Sequence, residues 1–213
     1  MFKRVILTLS LLVFAPLLAC AQESESFEEG THYSVISPAI RTANPGKIEV
    51  AEFFWYGCGH CYTFEPVVGQ WKKTLADDVA FRAVPAMWGG AMELHAKAFY
   101  AAEALGVSET MNPVMFQALN VDRKRLATEE EIAQVFVDNG VAKEDFNKAF
   151  NSFGVNSQVR QANATARGAK ISGTPSVMVN GKYLISARQA GSNANMLKVA
   201  DYLIEQERAA SGS

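Results

Sequence analysis

Hydrophobic positions between Lys47 and Val84 follow two periods in turn. Ile48-Glu49-Val50 opens a nearly continuous apolar run that reaches Tyr56 and reads as a buried strand, with Asn44-Pro45-Gly46 as punctuation before it. Tyr62 to Leu75 then shows helical spacing that turns Phe64, Val67, Val68 and Trp71 inward; Pro66 near its start is a site for a kink. Val79 to Val84 reads as a second strand. Strand, helix and strand in this order imply a parallel pair joined by a right-handed crossover.

The pattern changes after Met92, and no convincing strand occurs until about Gly168. Leu94 to Leu105 is Ala-rich and helical. Ser108 is placed to cap a helix reaching Leu119. Thr128-Glu129-Glu130-Glu131 is a capping box that opens a helix through Val137. Lys143 to Phe150 and Ser157 to Arg167 complete the helical block. Strand patterns return at Ser176 to Val179 and Lys182 to Ile185, on either side of Asn180-Gly181, a strong hairpin signal. Asn195 to Arg208 closes the chain as a helix with Leu197, Ala200, Tyr202, Leu203 and Ile204 on or near its buried face. His32 to Ile36 is a further short strand, preceded by a polar, acidic leader from Gln22 to Gly30.

This organisation divides the 213 residues into four segments: 1–21, a removable leader; 22–90, the first part of an α/β unit; 91–168, a helical insertion; and 169–213, the second part of the α/β unit. The leader combines Lys3 and Arg4 with an apolar run from Val5 to Leu18, and Ala19-Cys20-Ala21 fits small-residue cleavage before Gln22. The run is short for a membrane span, so it reads as a secretory signal. The alternative is a lipoprotein box, Leu17-Leu18-Ala19-Cys20, with lipid attached to Cys20. A hydrophobic fraction of 49% permits a full core, and the net charge is −2 with no cluster of basic residues, which argues against nucleic acid as a partner.

Cysteine usage adds chemistry to this outline. Removal or lipidation of Cys20 leaves only Cys58 and Cys61, and an exported protein sits where disulfides persist. A pair so close in sequence closes almost no loop, so it adds little stability as a crosslink, and redox exchange is the better account. A helix starting at Cys58 would favour a thiolate there through its free N–H groups and dipole. His60, between the two cysteines, is a candidate to stabilise that thiolate. Zinc binding is a competing reading, but Cys58 and Cys61 supply only half of a tetrahedral site. His32 and His95 have no ligand-spaced partners and read as surface or capped histidines. Most of Met87, Met92, Met111 and Met115 read as core, with a promiscuous groove as the alternative.

Several motifs in order, namely Glu52-Phe53-Phe54, Cys58 to Cys61, Tyr62-x-Phe64-Glu65, Met87-Trp88-Gly89-Gly90, Asn151-Ser152-Phe153 and Thr174-Pro175 with Val179 to Tyr183, resemble the DsbA family of exported thiol:disulfide oxidoreductases. The resemblance spans about Phe27 to Glu207. It implies an α/β thioredoxin fold with an inserted helical domain, no cofactor, and a monomer that works in the periplasm. The implied activity is donation of the Cys58–Cys61 disulfide to reduced, newly exported polypeptides, followed by re-oxidation by a DsbB-type membrane quinone reductase. It also implies that Thr174-Pro175 is a cis-proline loop which faces the cysteines and pairs with substrate backbone, with Gly173 and Gly59 keeping the approach open. Many relatives carry Pro where this chain has Gly59, and Val where it has Thr174. Cys-Gly-His-Cys is also the protein disulfide isomerase motif, so an isomerase or reductase is the alternative activity.

Glu52 interrupts a run expected to be buried, and a buried carboxylate needs a partner or a task. Arg82, on the adjacent strand, is the expected partner, and Arg would keep the pair charged. The expected roles are proton movement to Cys61 or a structural ion pair. Glu65, a helical turn beyond the cysteines, is a candidate to tune the local field.

Overall fold

The computed structural model describes residues 26–212. The leader, its cleavage point and Cys20 lie outside the described residues. Five strands form one mixed sheet: β1 (Ser34–Val35), β2 (Ile48–Phe54), β3 (Val79–Pro85), β4 (Ser176–Val179) and β5 (Tyr183–Ser186), in the order β1-β5-β4-β2-β3. β2 and β3 are parallel, joined through helix α1 (Gly59–Trp71) and a 3-10 turn over Lys72–Thr74. The other neighbouring pairs are antiparallel. All seven residues of β2 are buried, as befits an interior strand of a sheet covered on both faces.

Between β3 and β4 the chain makes five helices: α2 (Ala91–Ala104), α3 (Ser108–Asn120), α4 (Glu129–Asp138), α5 (Lys143–Phe150) and α6 (Phe153–Gly168). They pack on one face of the sheet, where Ala51, Phe53 and Met178 share a single apolar cluster with Phe99, Met111, Met115, Phe116, Phe136 and Phe150. The opposite face carries Val50, Val177 and Val179. These meet Phe64 and Val68 of α1 and Met196, Leu203 and Ile204 of α8 (Asn193–Ser211). The pleat therefore divides the sheet's side chains between two cores.

Local signals account for most boundaries. Thr128 accepts a hydrogen bond from the Glu131 N–H at 3.2 Å, and the Glu131 carboxylate reaches back to the Ala127 N–H at 2.6 Å, one residue before the expected position. In the hairpin, Asn180 and Gly181 both take positive φ, as its tight turn requires, and a Cβ on Gly181 would lie 1.9 Å from the Ile40 carbonyl oxygen.

Four expectations need correction. Ser108 does not cap α3: the cap position is Val107, and the buried Ser108 hydroxyl has no hydrogen-bond partner among the described residues. α6 begins a turn before Ser157, because Ser152 caps it by accepting from the Val155 N–H at 3.1 Å. Phe27 is not part of a free leader, since its ring packs edge-on against His32 and Tyr202. A short helix, α7 (Ala187–Ala190), follows β5 where the sequence pattern gives none.

Candidate active site

The Cys58 pair sits where β2 hands over to α1. Cys58 occupies the cap position of α1 in an extended conformation, and its N–H donates to the Trp55 carbonyl at 2.9 Å. Cys61, one turn along, is fully buried, whereas Cys58 is half-buried; both are free thiols. The next element to arrive is the loop before β4. Ser176 pairs with Phe53 of β2, so the residues just before it stand level with the residues just after β2. This brings the Thr174 carbonyl to 3.3 Å from the Cys58 sulfur. The Thr174–Pro175 peptide is cis, and Pro175 is buried. A Cβ at Gly173 would meet nothing within 4 Å, and one at Gly59 would meet only the Asn120 Oδ1 at 3.9 Å, so this edge of the site is open.

The electrostatics separate the two sulfurs. Hydrogen bonding from the Cys61 thiol, with the Thr174 side chain and the N–H groups of Cys61 and His60, draws the Cys58 pKa down to about 5 against the opposing effect of burial. Cys61 moves the other way: its bond to the Cys58 sulfur, burial and the nearby Cys58 charge all hold its proton on. His60 is exposed, and no hydrogen bond joins its ring to Cys58 among the described residues. Its contact with the thiolate is made by its backbone N–H.

Glu52, in the β2 strand that leads to this site, is 2% exposed, and its Oε1 has no partner among the described residues. Burial, aided by the charge of Glu65, raises its pKa to about 8, with Lys72 opposing. Glu52 is therefore a neutral acid at pH 7. The expected ion pair with Arg82 does not form. Arg82 is in register with Ala51, whereas Glu52 is in register with Ala83, so Arg82 and Glu52 project from opposite faces of the sheet. Arg82 instead binds Glu49 at 2.9 Å, and the second oxygen of Glu49 accepts from the Ala43 N–H and the Asn44 amide. Glu65 is half-buried on α1, where burial raises its pKa; it lines a groove of about 740 Å³ with Tyr62, Pro113 and Phe116.

Three supports of the active-site loop were not visible in the sequence. Asn120, at the end of α3, donates to the Tyr56 carbonyl at 2.7 Å and the Phe116 carbonyl at 2.8 Å. The buried Tyr56 hydroxyl donates to Asn112 on the same helix. The Trp55 indole N–H donates to His95 Nδ1 at 3.0 Å, which leaves the proton on Nε2 to bond the Leu126 carbonyl at 3.0 Å. His95 is thus a buried, neutral histidine rather than a surface one, and burial lowers its pKa. The one sequence signal for it was its place in an Ala-rich buried helix. Nothing in the sequence marked Asn120 or Asn112. His32 accepts from the Glu28 N–H at 3.0 Å. Met111 and Met115 are core, while Met87 lines a groove. Among the described residues no group of three or more His, Cys, Asp or Glu is placed to hold a metal.

A strand that feeds two cysteines into a helix start, opposite a cis-proline loop, defines a thioredoxin-fold dithiol–disulfide centre. The DSBA-like thioredoxin domain family matches residues 70–202. The thiol:disulfide interchange protein DsbA of Azotobacter vinelandii is 43% identical over 94% of this chain and 96% of its own length. That of Pseudomonas aeruginosa is 40% identical over 98% of both. The crystal structure of Pseudomonas aeruginosa DsbA superposes with a TM-score of 0.84 at 41% identity, covering 88% of this chain and 97% of that one. DsbA from Xylella fastidiosa gives 0.77 at 33% identity, with 84% and 96% covered. The chain belongs to this DsbA-like thioredoxin family, and its activity is thiol:disulfide exchange.

Proposed function

We propose that the oxidised chain donates its Cys58–Cys61 disulfide to reduced polypeptides newly exported to the periplasm. The contrast between an accessible, acidic Cys58 and a buried Cys61 that holds its proton carries this reading. A substrate thiolate attacks the Cys58 sulfur, the Cys58–Cys61 bond breaks, and Cys61 leaves with the electron pair and takes up a proton. A second substrate thiolate then attacks the substrate sulfur of the mixed disulfide. Cys58 leaves as a thiolate, the substrate gains its disulfide, and two electrons remain on the protein. A stable thiolate is a good leaving group, so the second step runs forward and the protein's disulfide is oxidising.

The other residues act on these two steps. Glu52, neutral and buried, is suited to supply the Cys61 proton, and the Glu65 charge helps to keep it protonated. Thr174, Pro175 and Gly173 form the edge on which substrate backbone would align, a mode that tolerates many side chains. The backbone of His60 stabilises the thiolate. Arg82 serves the Glu49 ion pair and has no part in the exchange. The reduced protein would be returned to the disulfide state by a DsbB-type membrane quinone reductase, with the chain acting as a monomer.

The Thr174 side chain, which acts to lower the pKa of both thiols, and Gly59 favour a second reading, an isomerase or reductase of the same fold. Equilibration with glutathione buffers separates the two. An oxidase comes to equilibrium reduced in a buffer that leaves ordinary protein disulfides intact. A chain that stays oxidised there is a reductase.

A further inference from the structure

The groove between α6 and the Met87–Gly90 loop has no part in the exchange steps above. Its volume is about 600 Å³. Val159 and Ile171 give it an apolar floor, and Arg160, Arg167 and Lys170 give it a cationic rim, with Glu93 as the single carboxylate in its lining. None of the three cations forms an ion pair among the described residues. They converge on one groove in a chain whose net charge is −2.

Helix geometry explains the convergence. Phe153, Arg160 and Arg167 recur at seven-residue intervals, two turns of α6, and so form one stripe. The Arg160 guanidinium lies 5.8 Å from the Phe153 ring centre. Phe153 is 82% exposed and Trp88, on the facing loop, 55%, the two most exposed large apolar side chains among the described residues. Arg167 and Lys170 lie at the C-terminal end of α6, where cations offset the helix dipole. Arg160 is two turns earlier and has no such role.

The chain itself leads from the groove to the site. Ile171 in its floor is followed by Ser172 and Gly173, and then by Thr174, whose carbonyl meets Cys58. We propose that this groove holds the polypeptide segment flanking the substrate's reacting cysteine, and that it selects segments that carry acidic side chains beside a large apolar one. The selection rests on the exchange reading above and names its preferred substrates. Planar guanidinium groups pair with carboxylates in two-point contacts, and the apolar floor and exposed rings take the neighbouring side chain. Because this contact is made before the sulfurs react, it acts on encounter and KM rather than on the exchange step itself.

The test uses the oxidised full chain and reduced two-cysteine peptides of equal length. Both flanks of the peptides carry Phe with Glu, with Gln or with Lys. At low salt the Glu peptide is expected to oxidise about tenfold faster than the Gln peptide, with the Lys peptide slowest. High salt should close the gap, and the R160E/R167E variant should reverse the order. Dithiothreitol, which has no flanks, should be oxidised equally by parent and variant, which also shows that the variant is folded. Equal rates for the three peptides, with dithiothreitol oxidised normally, overturn the groove alone. Failure to oxidise dithiothreitol overturns the exchange reading and the groove with it.

Discussion

The Cys58 sulfur lies 3.3 Å from the Thr174 carbonyl although 116 positions separate the two residues in the chain. The antiparallel pairing of β4 with β2 sets that contact, because it fixes Ser176 beside Phe53 and carries Thr174 past the end of the strand. One sheet register thus assembles the reactive sulfur and the loop that faces it.

Titration of thiolate absorbance in the reduced protein should show Cys58 ionising with a midpoint near 5, far below an ordinary thiol at about 8.5. A depressed folded pKa contributes stability that is fully present above the unfolded pKa. It declines as pH falls and is lost below the folded value. The reduced form should therefore be the more stable form in denaturant melts at pH 7, and its advantage should vanish near pH 4.5. A more stable oxidised form at pH 7 would contradict the oxidase reading.

Thr174→Val removes the hydroxyl that bonds the Cys58 sulfur while keeping the side chain's shape. One such hydrogen bond contributes about 0.5–1.5 kcal/mol, so the Cys58 midpoint should rise by about half to one pH unit. The same titration measures it, and an unmoved midpoint would show that the hydroxyl has no hold on the sulfur.

Glu52→Gln should stabilise the protein at pH 7 by about 3 kcal/mol, because the variant has no proton to hold against an unfolded state that ionises. The sign follows from the raised folded pKa of about 8. The wild-type contribution is fully present below the unfolded value, near 4.3, and is lost as pH rises through 8. The gain should shrink toward pH 4 in urea melts. If Glu52 supplies the Cys61 proton, stopped-flow formation of the mixed disulfide should also slow by about tenfold or more.

Arg82→Ala leaves Glu49 buried without its cation and should cost roughly 3–5 kcal/mol. Adding Glu49→Gln should recover much of that loss, since the uncompensated charge is then gone. Neither variant should move the Cys58 midpoint. A shift in that midpoint would return Arg82 to the active site.

Much of this protein was legible locally. The apolar run of β2, the helical spacing of α1, the Thr128 cap and the Asn180-Gly181 turn are short-range features, and each depends on neighbours within a few residues. The placement of Cys58 and Cys61 was legible for the same reason, since a helix start and a close partner are both local. The Glu52–Arg82 pairing failed on parity: adjacent strands were identified, but a shift of one position in register moves a side chain to the other face.

By itself, the sequence determined most of the elements, the candidate cysteine pair and the motifs that carry the family resemblance. Only the tertiary structure decided what surrounds the pair. Asn120 and His95 meet the active-site loop across 64 and 40 positions, and such contacts depend on how the helical block is laid against the sheet. Arg160, Arg167 and Lys170 look like scattered surface charges in the linear chain. They form the rim of one groove because α6 winds Arg160 and Arg167 onto one side, the turn after it adds Lys170, and the Met87–Gly90 loop closes the other.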